Sequence, residues 1–326
     1  MTLAVGDYDQ VRDLALGRVT VPGLDLNVLN YDVEEIFFRF FDRLEWEASE
    51  LSMGMYTSAR SRGDDRFIAV PAFPSRVFRH SAIYIRESGK IRSVDDLAGA
   101  RIGIPQWSQT ATIYVRGFLA ETAGIPLSSI KWIQAGVNDP GRAEPAVLRL
   151  PDDIRLDYDA GHSLDELLRE GKIDALISAR PPRSFVDGRS GIVRLFEDYK
   201  TAEAEYFRQT GIFPIMHTVA LRRDAYEQNR WIARNLFVAL REAKNRSVAR
   251  LRDLTAAHIP LPWATELLAR AQDLIFPEGE YWPYGIEPNL KTLEAFLRFS
   301  YHQGTCHRHL SVEEIFAPEA SEEIRV

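Results

Sequence analysis

Between Ala82 and Ser178 the chain repeats one rhythm: an apolar run of strand length, a helical stretch, a glycine stop. Arg101-Ile102-Gly103-Ile104-Pro105 reads as a strand, Thr110 to Ala123 as a helix stopped by Gly124, and Trp132-Ile133 as extended. Ser163 to Glu170 reads as a helix stopped by Gly171, and Ile173 to Ser178 as a buried strand. Ser93-Val94-Asp95-Asp96-Leu97 has capping-box spacing, which predicts one or two helical turns. Strands separated by helices return in the same direction, so the pattern predicts a mainly parallel α/β sheet.

The first third has the same character. Thr2 to Val5 is a short apolar run ending at a Gly-Asp turn, and Val19 to Val28 reads as a turn followed by a strand. Ile36, Phe37, Phe40, Phe41 and Leu44 recur at helical spacing over Val33 to Leu44. Ala48 to Met53 and Phe67 to Val70 read as extended, with a helix from Tyr56 to Arg62 between them. Beyond Ile212 the pattern changes. Phe213 to Leu221 is one more strand, and helices follow at Tyr226 to Leu251, Trp263 to Leu274 and Asn289 to His302. The expected architecture is two α/β lobes with a helical C-terminal region. Residues 1–82 plus 216–326 form lobe 1, and residues 83–215 form an inserted lobe 2. Two crossing segments then join the lobes and leave a ligand cleft between them.

Composition excludes several classes of function. At 326 residues, 45% hydrophobic and 27% charged, the chain can bury a core without staples. Forty basic against 47 acidic residues, a net of −7, argue against a nucleic-acid partner. No stretch approaches the roughly 20 apolar residues of a membrane span. The single cysteine, Cys306, excludes an intramolecular disulfide. The opening Met1-Thr2-Leu3-Ala4-Val5-Gly6-Asp7 has no basic or apolar leader pattern, so a cytoplasmic location is expected. HExxH, GxSxG, the P-loop and GxGxxG are all missing, which removes the common zinc-protease, serine-hydrolase and nucleotide-binding readings. Cys306-His307-Arg308-His309 lacks the usual zinc spacings, and no metal site is expected there.

Six runs, in order, carry a resemblance over nearly the whole chain. They are Gly6-Asp7-Tyr8-Asp9, Ala59-Arg60-Ser61-Arg62-Gly63-Asp64 and Phe73-Pro74-Ser75-Arg76-Val77-Phe78-Arg79-His80-Ser81-Ala82-Ile83-Tyr84. Ile177-Ser178-Ala179-Arg180 follows, then Gly211-Ile212-Phe213-Pro214-Ile215-Met216-His217-Thr218, and then Phe276-Pro277 through Trp282-Pro283-Tyr284-Gly285. With these runs the sequence resembles the 4,5-dihydroxyphthalate decarboxylase family, a branch of the type II periplasmic-binding-protein fold. The resemblance implies a carboxy-lyase of phthalate degradation that takes a small aromatic dicarboxylate to 3,4-dihydroxybenzoate. It implies no cofactor, leaves a divalent metal open, and suggests a homo-oligomer. The alternative is a solute-binding protein for a small aromatic or other carboxylate. An enzyme of this fold with other chemistry fits the quoted runs less well.

That chemistry sets the residue types to seek. Direct loss of carbon dioxide would leave an unstable aryl carbanion. A deprotonated hydroxyl para to the carboxylate pushes electrons into the ring, so the ipso carbon can be protonated first. The protein must supply an acid near that carbon, a base near the phenol, and cations for the carboxylates. His217, in a mostly apolar run at the second crossing, is the first choice for the proton donor or base, although a lone histidine there is more often structural. His80 is the other titratable imidazole. Arg79 and Ser81 are favoured for carboxylate binding, since an extended segment turns His80 the opposite way. Ser108, Gln109 and Thr110 open a helix after a strand and offer backbone N–H groups to an anion, or serve as ordinary caps. Ser178 and Arg180 end a buried strand. Arg142, in the Asn138-Asp139-Pro140-Gly141 turn, is a weaker cation candidate. Tyr8, Tyr56 and Ser58 are pocket candidates from the first lobe, with packing or capping the commoner role.

Overall fold

The computed structural model describes residues 1–188, 191–277 and 279–321. Eleven strands are found there: β1 (Thr2–Val5), β2 (Asn27–Asn30), β3 (Ala48–Ser52), β4 (Phe67–Val70), β5 (Ile83–Arg86), β6 (Arg101–Ile104), β7 (Lys131–Gln134), β8 (Leu156–Tyr158), β9 (Ala175–Ile177), β10 (Ile192–Arg194) and β11 (His217–Arg222). They make two sheets, in the orders β2-β1-β3-β11-β4 and β10-β5-β9-β6-β7-β8. Each sheet is mainly parallel, as the rhythm predicts, with one antiparallel strand among the described residues. In the first, β1 runs parallel to β2 and β3, while β11 is antiparallel to both β3 and β4. In the second, β6 is parallel to β7 and β9, while β5 is antiparallel to β9 and β10. The exceptions follow the connectivity. β5 and β11 are the first strands laid down after each crossing from the other sheet, so neither follows a crossover that begins in its own sheet.

The helices are α1 (Asp9–Ala15), α2 (Val33–Arg43), α3 (Met53–Ser61), α4 (Thr110–Gly117), α5 (Leu164–Arg169), α6 (Arg183–Val186), α7 (Tyr199–Thr210), α8 (Arg223–Gln228), α9 (Trp231–Arg252), α10 (Ala264–Ile275), α11 (Leu290–His302) and α12 (Pro318–Ser321). Ser163 and Glu166 close a capping box on α5, as their spacing predicts. The helix expected over Tyr226 to Leu251 is two helices. The chain leaves helical geometry at Asn229 (φ −150°, ψ 77°) and restarts at Trp231. After Gly117 the coil of α4 widens into a π turn over Phe118–Thr122. The ladder of β11 begins only at His217, because Phe213 to Met216 are held by isolated bonds to the Arg76 region. No helix among the described residues is long and apolar enough to cross a membrane.

Helix α2 starts on Asp32, whose side chain accepts the Glu34 N–H at 3.0 Å. It buries Ile36 and Phe40 in the first core and turns Phe37, Phe38 and Phe41 toward the space between the sheets. Helix α11 packs on both α3 and α4, so the C-terminal region braces both halves. Gln303 beyond it accepts Arg116 Nε at 2.8 Å and Trp107 Nε1 at 2.7 Å.

The amino termini of α3 and α4 meet at the base of this space. Thr110 Oγ1 accepts the Gly54 N–H at 3.0 Å and lies 3.0 Å from Ser52 Oγ. A Cβ on Gly54 would stand 2.2 Å from the Ser108 carbonyl oxygen, so only glycine permits this approach. The first crossing segment packs beside it. His80 sits 4.3 Å from the Phe118 ring, 5.1 Å from Tyr206 and 5.5 Å from Phe196. Neither of its ring nitrogens has a partner among the described residues, and burial lowers its pKa to about 4.

Two stability predictions follow from this packing. Gly54→Ala should lower the unfolding free energy by about 1–3 kcal/mol in a denaturant titration, as overpacking does elsewhere. A wild-type midpoint would show that the two helix ends have room to part. His80 takes up a proton more readily unfolded than folded, so it makes the fold weaker as pH falls from about 6.5 toward 4, by at most about 3 kcal/mol. His80→Phe should flatten that acid limb. An unchanged limb would mean that His80 does not stay neutral in the folded protein.

Candidate active site

The space between the sheets is a cavity of about 960 Å³. One wall is α2, through Val33, Phe37, Phe38 and Phe41. The floor is Ser52 at the end of β3, Met55 in the first turn of α3, Met216 just before β11 and His217 at its start. The far side carries the opening of α4, the 141–145 loop, and Ala179 to Pro181 after β9.

The chemistry of the floor starts in β3. This strand lies between β1 and β11 and is buried on both faces, yet it contains a carboxylate, Glu50, which is 0% exposed. A buried charge needs partners, and Glu50 has three donors. Oε2 accepts the Gly6 N–H at 2.8 Å, while Oε1 accepts Tyr8 O–H at 2.8 Å and His217 Nδ1–H at 2.6 Å. Gly6 is required for this geometry. A Cβ there would lie 2.7 Å from the Tyr8 ring, which folds back over the turn to reach Glu50. Burial and then the Glu50 charge push the Tyr8 phenol pKa far up, so Tyr8 stays a donor. With Nδ1 taken, His217 has Nε2 left for the cavity, and the Phe37 ring meets the imidazole edge-on at 4.9 Å.

Arg79 lines the same cavity. Its Nε donates to Met216 Sδ at 3.2 Å, and its remaining guanidinium nitrogens make no hydrogen bond among the described residues. Burial lowers its pKa to about 10, with Tyr84 and Glu203 pulling the other way, so it is still a cation at neutral pH. The other two cavity arginines are already paired. Arg142 lies 3.3 Å and Arg180 3.8 Å from Glu34 on α2. The turn before α4 also holds an anion. The Glu144 carboxylate accepts Trp107 N–H at 2.6 Å, Ser108 N–H at 3.3 Å and the Ser108 hydroxyl. This is the behaviour expected of backbone donors at a helix start. Gln109 lines the cavity too, and its side-chain oxygen has no partner among the described residues.

The structure therefore brings His217, Arg79, Arg142, Arg180, Ser108, Gln109 and Thr110 to one cavity, although the Thr110 hydroxyl is occupied by Ser52 and Gly54. Other sequence candidates lie elsewhere. His80 is in its aromatic box, turned away from the cavity. Ser81 is used through its backbone, its N–H donating to Glu203 and its carbonyl accepting from Arg194. Ser178 is fully buried, and its hydroxyl accepts the Arg180 N–H. Tyr56 is a core residue whose hydroxyl donates to the Ile315 carbonyl at 2.5 Å, and Ser58 is buried along α3. Tyr8 reaches the site only through Glu50. Arg76 is buried as a strut, bonded to Asn289 at 2.7 Å and stacked on Phe213. Among the described residues no cluster of three His, Cys, Asp or Glu side chains is placed to hold a metal ion. Cys306 is buried, which pushes its thiol up to about 11, while His307 donates to the Val147 carbonyl at 2.8 Å.

Sequence reasoning missed Glu50, the most buried charge of the site, and Phe37 and Phe41 as its aromatic wall. The signal for Glu50 was an acidic residue inside a strand that pairs on both edges, where a carboxylate is costly without assigned partners.

The fold is shared with solved structures at low sequence identity. The periplasmic aliphatic sulphonate binding protein SsuA from Escherichia coli matches with a TM-score of 0.55 at 13% identity, covering 97% of each chain. The ligand-binding component of an ABC-type import system from Staphylococcus aureus also scores 0.55, at 11% identity over 99% of this chain and 98% of that one. The desulfurization enzyme DszB scores 0.50 at 16% identity over 98% and 97%. These likenesses establish the two-lobed periplasmic-binding-protein-like fold with its helical C-terminal region. No family model matches the chain. Full-length relatives are more specific. A 4,5-dihydroxyphthalate decarboxylase of Comamonas testosteroni is 37% identical over 327 aligned residues, covering 100% of this chain and 98% of its own. A second protein of that name, from Pseudomonas putida, is 38% identical over 209 residues, 64% of this chain and 81% of its own. On sequence, coverage and fold together, the chain belongs to the 4,5-dihydroxyphthalate decarboxylase family.

Proposed function

We propose that this carboxy-lyase decarboxylates 4,5-dihydroxyphthalate to 3,4-dihydroxybenzoate, with Arg79 as the carboxylate anchor and His217 as the proton-transfer group. One observation carries the assignment. A half-buried, hydrogen-bond-poor guanidinium and an imidazole with a free Nε2 face one cavity that has an aromatic wall. An arginine in that state favours an anion, because Tyr84 and Glu203 only partly offset the cost of desolvating it. Phe37 and Phe41 offer faces and edges to a flat ring.

The step balances as follows. Each carboxylate of the substrate has a ring hydroxyl para to it. Loss of the phenolic proton to a wall carboxylate, Glu34 or Asp42, pushes an electron pair toward the ipso carbon. His217 delivers a proton to that carbon, giving a non-aromatic dienone. The ring–carboxylate bond then breaks, carbon dioxide leaves, and the bonding pair restores the aromatic ring and the phenolate. The phenolate recovers its proton, so the overall reaction consumes one proton. Gln109 is the acceptor for a ring hydroxyl. Arg142 and Arg180 receive the second carboxylate by exchange with Glu34. Membership of an enzyme family rather than of exported receptors supports a cytoplasmic location.

The test mixes metal-stripped protein with 4,5-dihydroxyphthalate and follows carbon dioxide and 3,4-dihydroxybenzoate, then repeats the assay with divalent metal added back. Release of both products is expected. Thermal stabilisation by the compound without turnover under either condition would instead make the cavity a receptor site. Arg79→Ala should raise KM by about 10- to 100-fold, the worth of one charge-assisted contact. His217→Ala should lower kcat by about 10²- to 10⁴-fold. Wild-type kinetics in both variants would remove these two residues from the mechanism.

A further inference from the structure

We infer that Glu50 is a positioning residue that fixes the tautomer and orientation of His217, with Tyr8 and the Gly6 amide holding Glu50 in place. The inference rests on the decarboxylase reading and says what aims its proton-transfer group. The carboxylate of Glu50 is 0% exposed; the Gly6 N–H donates to Oε2, the Tyr8 O–H donates to Oε1, and His217 Nδ1 faces Oε1 at 2.6 Å. With both oxygens acting as acceptors, the imidazole nitrogen that meets Oε1 is the one suited to carry the ring proton. A fixed negative charge 2.6 Å from Nδ1 does two things. It selects the tautomer with the proton on Nδ1, and it holds the ring so that Nε2 is the nitrogen left for the cavity.

The other groups around this pair leave that contact in place. Tyr8 and Tyr284 face Glu50 and stay neutral, since burial and the Glu50 charge both hold off their ionisation. From α2 the Phe37 ring meets the imidazole edge-on and carries no charge. Arg79, the cation on the cavity side, turns its Nε to Met216 rather than to Glu50. The ring thus presents Nε2 to the cavity as the atom through which a proton can pass to or from a bound ring. Three chain segments far apart in sequence converge to build this arrangement: residues 6–8, Glu50 and His217.

Two measurements test it. Glu50→Gln keeps the shape and removes the charge. Its kcat should fall about 10²-fold while KM stays within about threefold. Unchanged kcat, or a loss confined to KM, would overturn the inference. The second measurement uses the wild-type protein and no substrate. Nitrogen NMR of ¹⁵N-histidine-labelled protein, with the His217 signals identified by their loss in His217→Gln, should find Nδ1 protonated throughout the titration. An unprotonated Nδ1 refutes the role of Glu50 even if Glu50→Gln does not fold. A wild-type protein without turnover on 4,5-dihydroxyphthalate, yet with Nδ1 protonated, keeps the positioning role and removes only the substrate.

Discussion

A carboxylate with no contact to water sits in the middle strand of the first sheet, and much of the site is arranged around keeping it there. Glu50 is tolerable at that position only because a backbone amide, a phenol and an imidazole arrive from three separate segments. Each of these arrivals constrains something else. The amide fixes the end of β1. The phenol needs glycine at position 6. The imidazole needs β11 to enter antiparallel beside β3, in the register that pairs Val219 with Glu50 and His217 with Ser52. That register is available because the chain has left the first sheet, built the second, and returned from the opposite direction.

The electrostatics of the cavity show a division of labour among its arginines. Arg142 and Arg180 have a counter-ion in Glu34, at partly exposed positions where such pairs contribute little to stability. Arg79 is deeper and has only a thioether for a partner. Desolvation without compensation is unfavourable in the empty protein and becomes favourable binding when an anion arrives. In the proposed function it is the depth of Arg79, more than the number of basic residues, that favours a carboxylate in the cavity. The overall charge of −7 gives no hint of it.

Much of the frame was legible in the sequence. The strand–helix–strand rhythm with its glycine stops locates most of the strands and the capped α5, and the two crossings identify where Arg79 and His217 stand. Helix α7 was not legible, since its sequence YKTAEAEYFRQT buries only Ala204 and Tyr206 and has no continuous apolar stripe. Within the crossing motif, alternation alone could not say which of Arg79 and His80 lines the cavity. Arg79 does, while His80 sits in an aromatic box that no local spacing encodes, since Phe118, Phe196 and Tyr206 come from distant segments. Glu50 was hidden for the same reason. Its partner His217 lies 167 residues away, and a long-range hydrogen bond leaves no periodic trace.

The contact of Ser52, Gly54 and Thr110 ties the starts of two helices together at the base of the cavity. His217 stands on the strand paired to Ser52, so the floor is tied to that same point. Glu34 faces Arg142 and Arg180 at partly exposed positions on the rim. The floor is therefore held by buried hydrogen bonds and the rim by pairs open to solvent, so added salt loosens the rim long before it reaches the floor.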